Sequence, residues 1–292
     1  MTVRFIDIHP HIISDDAVRY ARVPLFGVQS DWSRDRPVTI EGLIAAMDEA
    51  GVDKAAIVQS STCYGYDNSY LVDAVAKHKS RFTAVGSVDV SQPDAPERIR
   101  QWVERGVSGL RLFTGGSTAA FDPSSLDDPS TFPTWQLCGE LGLSMAIQTD
   151  PTGLAQVAGL AKRFPKVRIV LDHLGRPDVT DGAPYKRASS LFGLAPFENI
   201  FLKLTPRIFG DAKRGAASAE TFFPRVVGVF GSHRLAWGSN FPASEGKLKQ
   251  NLETAKQSLA CLSADDQAWI FAKTALTLYP ALADTVAARA SA

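Results

Sequence analysis

Eight short apolar runs alternating with stretches of helical spacing organise this chain almost from end to end. The runs are RFIDIHPHI, KAAIVQSS, FTAVGSVDV, VSGLRLFT, LSMAIQTD, VRIVLDHLG, IFLKLTP and RLAWGSNFP. They are mostly continuous rather than alternating in polarity, as strands are when a parallel sheet is covered on both faces. Between them, TIEGLIAAMDEAG, NSYLVDAVAKHK, DAPERIRQWVERG, FPTWQLCGELG, TGLAQVAGLAKRFP, YKRASSLFGLAPF and AETFFPRVVGVFG place apolar residues on one helical face. Eight such units predict a single (β/α)8 TIM barrel. A doubly wound open sheet is the competing α/β architecture, but the chain has no glycine-rich GxGxxG turn to serve it. KLKQNLETAKQSL and DDQAWIFAKTALTLYPAL read as two extra C-terminal helices packed outside the barrel. No linker interrupts the pattern, so residues 1–292 are expected to form one domain, with only VAARASA at 286–292 expected to fray.

Local punctuation agrees. Thr39 precedes a periodic run as a helix N-cap, and Gly51, Gly106 and Gly142 follow helix ends. The longest segments without helical spacing, residues 14–37 and 114–132, follow the first and fourth strands. Loops in those places line the catalytic face of such a barrel and shape its substrate pocket.

Composition excludes several kinds of partner. Lys plus Arg equals Asp plus Glu at 31 each, so the net charge is zero and gives no footprint for nucleic acid or an anionic membrane. Three cysteines, Cys63, Cys138 and Cys261, at wide spacings suggest reduced thiols rather than a disulfide framework. No signal-peptide pattern or membrane span is visible. A cytoplasmic protein of undetermined oligomeric state, acting on a small molecule, is the expectation.

Five histidines are present, and two of them, His9 and His11, stand one residue apart in DIHPH. Strand alternation puts Phe5, Asp7, His9 and His11 on one face. If that face points inward, both imidazoles reach the C-terminal mouth of the barrel, where they can serve catalysis or bind a borderline metal such as zinc. His173 in LDHLGRP shares parity with Ile169 and Leu171 and can approach the pair. His78 reads as a solvated helix end, and His233 lies at the wrong end of its strand.

DIHPH, LDHLGRP and WGSNFP, in that order, resemble the amidohydrolase superfamily, and more narrowly its branch holding 2-pyrone-4,6-dicarboxylate lactonase and sugar-lactone lactonases. GYDNSYLVDAVAKHKSRFTAVGSVD, GVSGLRL and ALTLYP are similar to the same branch. The resemblance implies hydrolysis of a lactone or related ester, commonly of an anionic substrate. This chain departs from it at Asn240, where most relatives carry an aspartate that holds a metal or activates water. A neutral amide binds cations weakly and takes up no proton near neutral pH. The fourth strand offers Arg111 and no lysine to form a bridging carbamate, and the fifth offers Gln148 in place of another histidine. One divalent metal, most simply zinc on His9, His11 and His173, and a metal-free site therefore both stay open. Asn240 also leaves two alternative functions open, a decarboxylase of the same branch and a barrel that only binds an anion.

Without an acid at 240, His173 or one of the pair is the remaining general base, and Asn240 is left to orient water or donate to an oxyanion. Arg111, Arg176 and Arg207 are candidates for a substrate carboxylate, which guanidinium forks match well. Lys203 within IFLKLTP either reaches the edge or is aimed at the site. Tyr64, Tyr66 and Asn68 follow the second strand near the mouth, where they can contact substrate hydroxyls, with Asn68 equally a helix N-cap, and Gln148 is a further substrate-binding candidate.

Overall fold

The computed structural model describes residues 5–283, so the tail at 286–292 lies outside the described residues. Eight strands run β1 Ile6–Asp7, β2 Lys54–Val58, β3 Phe82–Gly86, β4 Val107–Phe113, β5 Ser144–Gln148, β6 Ile169–Leu171, β7 Ile200–Leu204 and β8 Leu235–Trp237. They pair in chain order, every pair parallel. The ends of the sheet meet where Ile8 N donates to Trp237 O at 3.2 Å and His11 N to Phe241 O at 2.8 Å. This is a nearly closed (β/α)8 barrel with helices between its strands.

Side chains divide into two layers. Ala55, Ile57, Ala84, Leu110, Met145, Ile147, Ile169, Leu171 and Leu202 pack outward against helix residues such as Leu43, Val72, Ile99, Leu137 and Val157. Ile6, Ile8, Ala56, Val58, Val85, Ala146, Val170, Phe201 and Ala236 form a second cluster inside. The C-terminal segment departs from expectation. Leu248–Ser258 packs on the outside against the helix Ile40–Ala50. Ala275, Leu278, Tyr279 and Leu282, in contrast, join the interior cluster. Ser144 Oγ donates to Leu278 O at 2.7 Å, and a side chain at Gly109 would collide with the Tyr279 ring at 2.9 Å. The helix Thr274–Leu278 and the turn after it thus floor the barrel at the end opposite the histidines, which a strand–helix pattern alone does not show.

Elsewhere local rules hold. Thr39 Oγ1 accepts from Gly42 N at 3.3 Å, and Gly51, at a φ of 72°, ends Ile40–Ala50. YKRASSLFGLAPF condenses to the short turns Lys186–Ala188 and Ser189–Phe192 instead of a full helix. Among the described residues no helix is long and apolar enough to cross a membrane.

Candidate active site

Simple alternation does not place the histidines. Phe5 lies against Phe271 in the outer layer, with ring centroids 5.3 Å apart, while Ile6 and Ile8 face inward. The strand ends at Asp7, the chain bends at Ile8, and His9 N donates to Asp7 Oδ1 at 2.9 Å. That bend turns both imidazoles over the barrel mouth. Their rings stand edge to face at 4.9 Å, and His173 lies 5.2 Å from His9. Gly238 on the neighbouring strand end makes room, because a Cβ there would sit 2.6 Å from the His9 Cβ.

His173 arrives by a different route. Ile169 and Leu171 pack outward, so Asp172 is the inward residue, and the chain then makes a left-handed turn. His173, Leu174, Gly175 and Arg176 have φ of 54°, 55°, 67° and 55°. Left-handed backbone is uncommon for residues with side chains and costs on the order of 1–2 kcal/mol at each. Such strain persists where the surroundings over-determine it, which favours a functional segment.

Asp172 is the hub of the site. Lys203 Nζ is 2.7 Å from its Oδ1, and Arg111 Nε donates to Oδ2 at 2.8 Å. Lys203 Nζ is also 2.8 Å from His9 Nδ1, whereas Asp172 Oδ1 stands 3.6 Å from that nitrogen, too far for a good hydrogen bond. Arg111 further donates to Gln148 Oε1, and Gln148 Nε2 donates to Gly115 O at 2.8 Å. His11 Nδ1 meets Val58 O at 2.9 Å, which fixes the proton on Nδ1 and leaves Nε2 with a lone pair. His173 Nδ1 lies 2.7 Å from Thr205 Oγ1.

Charge follows from this packing. Burial, and then the charge of Arg111, hold His11 down at about 3. Burial also holds His173 at about 3 against the pull of Asp172, and lowers His9 well below its ordinary value with Lys203 assisting. All three are neutral imidazoles at neutral pH. Burial would raise Asp172, but Lys203 and Arg111 outweigh it and keep it below the usual carboxylate range.

The cavity over these groups is lined by His11, Trp32, Ser61, Arg111, Gln148, His173, Arg176 and Asn240, among others. Three buried polar atoms around it, His9 Nε2, Ser61 Oγ and Arg176 Nε, have no hydrogen-bond partner among the described residues. Arg176 stacks on Phe121 with its guanidinium carbon 4.7 Å from the ring centroid. Asn240, at a φ of 51°, donates Nδ2 to Ser244 Oγ at 2.9 Å.

The remaining expected residues lie further out. Tyr64 is buried with its hydroxyl accepting from Ser14 N at 2.8 Å, so it braces the first loop. Tyr66 lines a separate depression with Asp89. Asn68 occupies the N-cap position but spends its amide on Ser87, accepting from N at 2.8 Å and donating to O at 2.9 Å. Arg207 is half exposed near Asp211. Sequence reasoning missed Asp172, adjacent to a candidate histidine, and Trp32. The stretch 14–37 is not wholly irregular: Asp31–Asp35 is helical and carries Trp32 to within 5.2 Å of His11. Phe26 of the same loop meets Phe113 at 6.0 Å, joining the first and fourth loops over the mouth.

The sequence pattern of a protein family described as Amidohydrolase matches residues 6–281. The chain belongs to the amidohydrolase family. This amidohydrolase is 28% identical to L-fucono-1,5-lactonase of Burkholderia ambifaria over 71% of its length and 70% of the relative's. It is 26% identical to 2-pyrone-4,6-dicarboxylate hydrolase of Comamonas testosteroni over 68% of its own length and 66% of that protein's. Its fold matches that of an amidohydrolase from Burkholderia multivorans crystallised with zinc, at a TM-score of 0.75 and 18% identity, covering 95% of this chain and 99% of the other. The resemblance read from DIHPH, LDHLGRP and WGSNFP is thereby upheld, and the protein is a hydrolytic enzyme.

His9, Asp172 and His173 each offer a ligand atom within 4.8 Å of the others, and His11, expected in such a group, is not part of it. This donor set fits a cation poorly. Both Asp172 oxygens already face cations, and the nearer nitrogen of His9 faces the lysine. A bound metal normally has histidines whose second nitrogen donates to a carboxylate or carbonyl. His11 has that arrangement, and His9 has the opposite one.

Proposed function

We propose that this amidohydrolase hydrolyses a lactone or related cyclic ester of a small carboxylated molecule, with no resident metal, and that residues 5–283 act as one catalytic unit. The observation that carries the reading is Arg176, whose guanidinium has no carboxylate partner among the described residues yet lines the same cavity as His11 and His173. An unpaired guanidinium there suits a substrate carboxylate. Arg111, the sequence's other candidate, is already engaged by Asp172 and Gln148 and is better read as structural. Both relatives named above are hydrolases, one named for a lactone and the other for a pyrone dicarboxylate.

The chemistry follows from the tautomers. A water between the substrate carbonyl and His11 gives a proton to Nε2 as its oxygen attacks the carbonyl carbon. The developing oxyanion is stabilised by the donors His9 Nε2 and Asn240 Nδ2 and by the cationic Arg111–Lys203 pair behind them. The ring C–O bond then breaks, and the His11 imidazolium returns its proton to the leaving oxygen. Trp32, beside His11, forms a wall for the substrate ring.

Purified enzyme assayed against sugar lactones, pyrone dicarboxylates and muconolactones, with and without chelator, tests the proposal. Acid release insensitive to chelator is expected, lowered at least about a hundredfold in His11→Ala with folding intact. Carbon dioxide in place of simple acid release would mean a decarboxylase, ligand binding without turnover would mean an anion-binding barrel, and activity restored only by zinc would end the metal-free reading.

A further inference from the structure

We propose that Lys203 is a positioning residue that fixes the tautomer of His9 and thereby keeps divalent cations out of an amidohydrolase site. The lysine is fully buried, with Nζ 2.8 Å from His9 Nδ1 and 2.7 Å from Asp172 Oδ1. An ammonium has three protons and no lone pair, so toward His9 it only donates. His9 Nδ1 must therefore accept, and a neutral imidazole that accepts at Nδ1 carries its proton on Nε2. Such a ring has no lone pair left for a metal. It presents instead an N–H donor, and His9 Nε2 is a buried atom with no partner among the described residues.

The neighbours make the arrangement one-sided. Asp172 is the carboxylate that would otherwise take a proton from His9 Nδ1 and free Nε2 for ligation, as carboxylates behind metal-bound histidines do. Here its Oδ1 is 3.6 Å from that nitrogen, displaced by the lysine, and its Oδ2 holds Arg111 at 2.8 Å. A dication in the middle of the cluster would face two cationic side chains with one carboxylate between them. Removing the lysine's charge removes both obstacles: His9 is free to turn its N–H to Asp172, and the cluster recovers a carboxylate, a histidine and a second histidine around one point. The inference does not depend on which bond the enzyme breaks.

The test uses zinc alone as the probe and needs no turnover. Nitrogen-15 NMR of the whole protein with labelled histidine should show His9 with an unprotonated Nδ1 and a protonated Nε2. Calorimetric titration with zinc should give at least about tenfold tighter, one-to-one binding in Lys203→Met than in the natural enzyme. Lys203→Gln, which keeps polar atoms in the cavity, serves if the Met variant does not fold, and is expected to shift in the same direction. A natural enzyme that binds zinc as tightly as either variant overturns the proposal. So does a His9 ring protonated at Nδ1. Loss of lactone hydrolysis with both expected signatures intact would sink the functional reading and leave this one standing.

Discussion

Arg176 N donates to His173 O at 3.0 Å across a turn whose four residues all have positive φ. With roughly three residues to such a tight turn, side chains three apart eclipse, so the imidazole and the guanidinium rise on one side and line one cavity. The spacing of histidine and arginine in LDHLGRP is thus a geometric pairing of proton chemistry with anion binding.

Arg176→Met should raise KM for a carboxylated lactone by about 10- to 100-fold and leave a neutral analogue nearly unaffected, as loss of a charged hydrogen bond of roughly 1.5–3 kcal/mol requires. Arg111→Met should instead reduce stability by about 3–5 kcal/mol, because it strips a buried carboxylate of one partner. Steady-state kinetics on both substrates and a urea melt separate the two. A charge-specific KM effect at Arg111 with an unchanged melt would reverse the assignment.

Asn240→Ala should lower kcat less than about tenfold, while His11→Ala lowers it at least about a hundredfold, since an amide held by Ser244 takes up no proton and His11 Nε2 keeps a lone pair that can. Equal losses in the two variants would put position 240 at the centre of the proton transfer.

Gly238→Ala should cost about 1–3 kcal/mol and reduce turnover at least tenfold, because the new methyl must push the His9 Cβ from 2.6 Å. Thermal melting with a kcat measurement checks this. Natural stability and turnover would show that the approach of β8 to His9 is looser than described.

Stability should fall as the pH drops from about 6.5 toward 4. His11 and His173 are held at about 3 in the fold, so the unfolded chain takes up protons that the folded one refuses. Their contribution is whole above the unfolded value and is lost on acidification. Asp7 opposes this: burial raises it to about 6, so below that pH the fold keeps a proton the unfolded carboxyl releases down to about 4. Three histidines, His9 included, against one carboxyl leave a net loss of stability on acidification across that window. Urea midpoints measured across it are the check, and a midpoint that rises on acidification would contradict the balance.

The barrel and the kinds of residue at its mouth were legible in the chain because strand–helix alternation and polar residues at strand ends are local signals. Their directions were not. Parity put His9 with Phe5 and His173 with Leu171, and in both cases the chain turns just beyond the strand, at Ile8 and after Asp172. Asp172 itself escaped notice because its role lies in partners 61 positions back and 31 ahead, Arg111 and Lys203, which only closure of the sheet brings together. Tyr64 and Tyr66 were placed near the mouth by loop position, yet loop position says nothing of whether a hydroxyl is used within the loop.

Leu278, Tyr279 and Leu282, which floor the barrel, follow all eight strands in sequence. Ile6 and Ile8, which they join in the interior cluster, belong to the first strand and the bend just beyond it. During synthesis from the N-terminus the interior therefore stays open until Leu282 has emerged. The contacts that close it join the first strand to a segment beyond the eighth, and contacts so far apart in sequence are slow to form. Until then a nascent chain exposes an apolar interior, so the vectorial order of translation makes docking of the helix Thr274–Leu278 the step that closes it against aggregation.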